Sequence, residues 1–132
     1  MDMNASDPTP RSIVPPRGGL LHVIDAGGYS IAGLRRLWLE TAARLEVAGA
    51  VIVAAAFVWR GAELWQWMVS GFLLALILAV ESLNTAVEVL TDRLSPEWSQ
   101  MAKDAKDLGS LAVGLMLLVA GVFVGLVIAG FI

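Results

Sequence analysis

The chain has 132 residues, 58% of them hydrophobic and 16% charged, with a mean hydropathy of +0.75. One domain fits this length. The composition excludes a disordered chain, which would be poor in apolar residues, and it argues against a water-soluble globule because the apolar residues come in blocks. A net charge of -3 argues against a nucleic-acid partner held by bulk positive charge. With no cysteine, disulfides and thiolate sites are excluded, and the single histidine, His22, cannot build a histidine metal site alone.

Residues 1–19 hold Pro8, Pro10, Pro15, Pro16, Gly18 and Gly19 among small polar residues, a composition that predicts a disordered tail. Pro15 and Pro16 fall where a signal peptide would need its apolar run. In the next segment, Leu34, Leu37, Trp38 and Thr41 share one helical side with Arg35, Arg36 and Arg44 nearby. This predicts an amphipathic helix over about 29–40, lying at the bilayer surface with its arginines toward phosphates. Gly27 and Gly28 interrupt or begin it.

Three apolar blocks follow: 47–59, 64–80 and 108–132. A span needs roughly 20 residues. Only the third block meets that alone. The first extends back past Glu46 and Arg44 toward Glu40, and the second forward through Glu81, Asn84 and Glu88. The predicted spans are therefore about 41–59, 64–90 and 108–132, giving an all-α membrane protein of three transmembrane helices plus the surface helix. The loop at 60–63 holds one of the nine basic residues, and the other eight lie before residue 45 or between Arg93 and Lys106. By the positive-inside rule the N-terminus and the 91–107 loop face the cytoplasm. The tryptophans Trp38, Trp59, Trp65, Trp67 and Trp98 read as interface anchors, and Gly114, Gly121, Gly125 and Gly130 as positions of close helix packing.

Glu81, Asn84, Glu88 and Asp92 are spaced at i, i+3, i+7 and i+11. On a helix they fall within about 80° of one another. An ionised carboxylate at the centre of the hydrocarbon costs on the order of 3 kcal/mol, and neighbouring carboxylates repel, so cations must be supplied. Arg44, Arg93, Lys103 and Lys106 are available, yet Glu40 and Glu46 add further carboxylates at the same mouth. Hard oxygen ligands beside a side amide suit Mg²⁺, which keeps waters and shares phosphate oxygens. Carboxylates, Mg²⁺ and lysine together are equipment for phosphoryl transfer. Glu46 with Arg44, and Asp92 with Arg93, read more simply as ordinary interfacial pairs. No GxxxxGK[ST] or GxGxxG loop occurs.

The runs Glu81-Ser-Leu-Asn84-Thr-Ala-Val-Glu88-Val-Leu-Thr-Asp92 and Ala105-Lys106-Asp107-Leu-Gly109-Ser110 resemble the prokaryotic diacylglycerol kinase family, as do Gly28-Tyr29-Ser30 and Gly33-Leu34-Arg35. The resemblance covers about residues 20–132. It implies a homotrimer of three-span subunits in the bacterial inner membrane, moving the γ-phosphate of MgATP to the primary hydroxyl of diacylglycerol and giving phosphatidic acid. It also implies Glu81 as general base, Glu40 and Glu88 as Mg²⁺ ligands, and Asn84, Lys106 and Asp107 as nucleotide-positioning residues. Ser30, Glu46, Glu81 and Ser110 would face the lipid. The family's first metal glutamate aligns with Glu40 if one residue is missing after Trp38, and with Thr41 otherwise; the gap aligns Glu40, Arg44 and Glu46 together. Two other functions share features of this sequence. Undecaprenol kinase would use the same stripe on a polyprenyl alcohol. A small proton-coupled transporter would also carry intramembrane glutamates, but gives no reason for Lys106 and Asp107 beside them.

Overall fold

A computed structural model describes residues 18–132. Apart from Gly18 and Gly19, the tail expected over 1–19 lies outside the described residues. Four helices follow in order: α1 (Leu20–Leu37), α2 (Thr41–Arg60), α3 (Leu64–Leu94) and α4 (Gln100–Ala129). The described residues contain no strand.

Each boundary has a local cause. α1 starts ahead of the Gly27-Gly28 pair and runs through it, so the two glycines weaken the helix without ending it; each costs about 1 kcal/mol against alanine. The chain breaks at Trp38–Glu40, where Glu40 takes an extended backbone (φ -77°, ψ 134°) and becomes the N-cap of α2. α2 stops at Gly61, whose φ of +68° is left-handed and favours glycine. Glu63 and Gln66 close a reciprocal capping box at the start of α3. The turn 61–63 is short enough to force α2 and α3 antiparallel. Ser99 caps α4 by accepting a hydrogen bond from the Ala102 N–H at 3.2 Å.

α2, α3 and α4 are each long and apolar enough to cross a membrane. The 20 residues of α2 span about 30 Å, close to the hydrocarbon thickness. With 31 and 30 residues, α3 and α4 reach about 45 Å and overhang it. Their apolar stretches lie at the start of α3 and the end of α4, so both overhangs fall at the same polar end, joined by residues 95–99. Glu40 lies at that end too. The longer helices therefore carry polar side chains beyond the membrane on a rigid pair of rods.

α3 and α4 form the main packed pair, while α2 touches both more lightly. Phe57 of α2 is fully buried, edge-on to Trp67 of α3 at 5.4 Å between ring centroids. Trp65 meets Phe123 of α4 in the same manner. Trp65 and Trp67, expected at the membrane interface, also join helices to one another. At this apolar end Gln66 Nε2 donates to the Ile132 carbonyl at 3.0 Å, fixing the last residues of the chain against α3. Between α2, α3 and α4 lies an apolar cavity of about 590 Å³, lined by Val53, Phe57, Leu74, Ile77, Leu117 and Val124, with Glu46 also in its wall.

Candidate active site

The polar end gathers side chains from three helices. Glu81 sits one residue past the apolar start of α3 and is 4% exposed. Asn84, one turn on, is 8% exposed. Glu88 is half-buried and Asp92 is exposed, so the stripe read from the i, i+3, i+7, i+11 spacing climbs from the bilayer level to solvent. Asn84 Nδ2 donates to Glu88 Oε1 at 3.1 Å. Glu81 lies within electrostatic reach of Glu88 and Glu40, and Glu46 within reach of Glu81. Four carboxylates from the α1–α2 break, α2 and α3 therefore share one region.

Several of the cations are already engaged. Lys106 of α4 donates to Asp92 of α3, so the pair expected between Asp92 and Arg93 gives way to one that ties two helices together. Arg36 pairs with Glu40 one turn away. Arg44 donates to Thr41 Oγ1 at 3.2 Å, and the expected Arg44–Glu46 pair does not form. Both Glu46 carboxylate oxygens are buried without a hydrogen-bond partner. Lys106 lies in the polar first turns of α4, before the apolar segment that starts at Leu108. Its hydrogen bond to Asp92 holds the ammonium above its ordinary pKa, so it stays cationic.

Other expected site residues make no hydrogen bond to the four carboxylates among the described residues. The exposed Ser30 hydroxyl donates to the Ala26 carbonyl of its own helix at 3.0 Å. Asp107 pairs with Lys103 along α4, and Ser110 is exposed. Asp107 still joins Asp92 and Lys106 around a pocket of about 320 Å³, which Trp98, Ser95 and Ser99 complete. Trp98, read from sequence as a membrane anchor, thus borders a polar pocket one helical turn beyond Glu88.

Gly109 was not singled out by spacing or composition. A Cβ placed on it would lie 2.1 Å from Asn84 Oδ1. Gly114, Gly121 and Gly125, the glycines expected at close helix contacts, would meet nothing within 4 Å, and a Cβ on Gly130 would meet the Arg60 guanidinium. Its φ of +79° makes Gly130 the C-cap of α4. Among these glycines, Gly109 is the one that abuts α3.

The donor set fits a hard divalent ion. With Asp92 taken by Lys106 and Glu40 by Arg36, the carboxylates of Glu46, Glu81 and Glu88 are left without an ion pair among the described residues. Among the described residues no three acidic or histidine side chains converge closely enough to enclose a metal. A site of one or two carboxylates completed by waters and phosphate oxygens is the coordination Mg²⁺ favours.

A family model described as prokaryotic diacylglycerol kinase matches residues 28–128, which include the whole stripe and the Lys106–Ser110 run. The chain belongs to the prokaryotic diacylglycerol kinase family. A diacylglycerol kinase from Sinorhizobium sp is 38% identical over 115 residues, 87% of this chain and 84% of the relative. The diacylglycerol kinase of Escherichia coli (strain K12) is 34% identical over 103 residues, 77% of this chain and 84% of that protein. That of Pseudomonas aeruginosa is 40% identical over 99 residues, 71% and 77% of the two chains. Membership in the diacylglycerol kinase family agrees with a site that pairs carboxylates with lysine at the end of membrane-spanning helices.

Proposed function

We propose that the protein is an ATP-dependent diacylglycerol kinase, giving phosphatidic acid and ADP. The observation that carries this reading is the stripe of buried Glu81 and Asn84 and half-buried Glu88, set between an apolar cavity on one side and the Lys106 pocket on the other. The cavity suits an acyl chain, and the pocket suits a polyphosphate with its base against Trp98. Membership in the family and the names of the relatives support the lipid and the nucleotide.

Glu81 takes the proton of the lipid's primary hydroxyl. The oxygen forms a bond to the γ-phosphorus as the bond to the bridging β–γ oxygen breaks and ADP leaves. In a loose transition state the proton is lost late, so the base needs position more than strength. The buried, unpartnered oxygens of Glu46 favour a hydroxyl donor beside them, because an unpaired buried acceptor is costly. Lys106 offers a point charge to the phosphates, with Asp107 at the pocket wall. Ser30 and Ser110 face the lipid headgroup from the outer rim. Glu88 and Glu40 would hold Mg²⁺, which when bound would supply positive charge to the phosphates. Glu40 rather than Thr41 fits this role: it is half-buried and within electrostatic reach of Glu81, whereas Thr41 is exposed and bonded by Arg44.

In this reading the subunits form a homotrimer in the bacterial inner membrane, with the polar end and the N-terminus cytoplasmic. The sparse packing of α2 leaves most of its apolar surface available to lipid or to neighbouring subunits. Purified protein in mixed micelles should consume ATP only when diacylglycerol is present, forming one phosphatidic acid per ADP. ATP consumption without any lipid alcohol, or turnover of undecaprenol in preference to diacylglycerol, would overturn the assignment.

A further inference from the structure

Gly109 stands in the middle of a 30-residue helix, where glycine is a poor residue and alanine the best. It has ordinary helical backbone, since the positive-φ glycines among the described residues are Gly19, Gly61 and Gly130. Backbone conformation therefore does not call for it. Space does: a Cβ would stand 2.1 Å from Asn84 Oδ1 and 3.2 Å from Asn84 Cγ. The first is closer than real atoms come and the second is tighter than most real contacts, and the obstructing group is a side chain that is itself 8% exposed, with little room to swing away. Asn84 Oδ1 is buried with no hydrogen-bond partner. The amide is thus held by shape on its oxygen side, against the bare Cα of Gly109, and by a hydrogen bond on its nitrogen side, where Nδ2 donates to Glu88 Oε1 at 3.1 Å.

We infer that Gly109 is a positioning residue: the missing side chain on α4 seats the Asn84 amide, and the seated amide orients the Glu88 carboxylate. The chain of contact runs from α4 to α3 and then one turn along α3, ending on the carboxylate that the proposed function gives to the metal. The inference rests on that reading only for its last step. The contact between Gly109 and Asn84 stands without it.

The test separates the two. In protein labelled with ¹⁵N-asparagine, Gly109→Ala and Glu88→Gln should each shift the Asn84 side-chain amide resonances, with no metal or nucleotide added. Mn²⁺ binding followed by electron paramagnetic resonance without nucleotide should weaken about tenfold in Gly109→Ala and in Asn84→Ala, as expected when the group orienting a ligand is lost. The double variant should bind no more weakly than Asn84→Ala alone, because Gly109 acts only through that amide. An unmoved Asn84 resonance in Gly109→Ala, or losses that add in the double variant, would overturn the inference. If the resonance moves but Glu88→Gln binds Mn²⁺ normally, the metal assignment fails and the positioning contact stands. Should Gly109→Ala alone not fold, adding Asn84→Ala must restore folded protein, since it removes the clashing atoms; failure to do so also refutes the inference.

Discussion

Replacing Glu81 by glutamine keeps the side chain's shape and removes its charge and basicity. A positioned general base contributes about 10²–10⁴-fold, equivalent to about 2.7–5.5 kcal/mol of transition-state stabilisation. Turnover should fall by that factor, while the apparent MgATP affinity changes little, because the pocket of Trp98 and Lys106 lies beyond Glu88, more than two helical turns along α3. The structure also fixes the sign of the stability effect. Glu81 is 4% exposed and no lysine or arginine is ion-paired with it among the described residues, whereas Glu88 and Glu40 lie within electrostatic reach. Removing its charge relieves repulsion, so the apparent Tm in detergent should stay level or rise. Both quantities are measured on one preparation, by coupled ATP turnover with diacylglycerol and by thermal unfolding. A lowered Tm with retained turnover would refute the reasoning and make Glu81 a structural carboxylate satisfied by a cation.

Glu88→Gln should lower turnover by roughly 10²-fold or more and shift the Mg²⁺ dependence to higher concentration; near-normal turnover at low Mg²⁺ would remove Glu88 from the metal. Lys106→Met should raise the ATP KM or lower kcat with little change in Tm, since its pair with Asp92 is exposed, and Lys106→Arg should restore charge without the same geometry. Unchanged kinetics in Lys106→Met would leave Lys106 a helix-to-helix tie only. Glu40→Gln should abolish metal-dependent activity while Thr41→Ala is mild, because a neutral hydroxyl is a poor ligand for a hard divalent ion; the reverse order would place Thr41 at the metal.

The spans were legible because their signal is composition summed over about 20 residues, which no single side chain can hide. The acidic stripe was legible for a related reason: within one helix, spacing determines angle. What failed were statements about what lies across from what. Asp92 pairs with Lys106, fourteen residues away, and not with adjacent Arg93, because α4 returns antiparallel beside α3 and brings Lys106 level with Asp92. Glu46 lacks Arg44 because residues two apart in α2 point to different sides of the helix, and Arg44 donates to Thr41 three residues back. Trp65 and Trp67, read from sequence as membrane anchors, also pack against Phe57 and Phe123 on other helices, a further role that their own positions do not reveal.

The glycines make the same point most sharply. Gly114, Gly121 and Gly125 read as packing positions, yet a Cβ on any of them would meet nothing within 4 Å in the single chain, whereas a Cβ on Gly109 would collide with Asn84. A glycine in a helix records that something cannot fit, but the sequence does not name the obstructing group. Here that group is an amide bonded to a carboxylate of the proposed metal site, so the fit of α4 against α3 at this level bears on the orientation of Glu88. This couples packing to chemistry at the place where the two longest helices leave the membrane. A larger residue at 109 would disturb the site even if every acidic side chain stayed in the sequence.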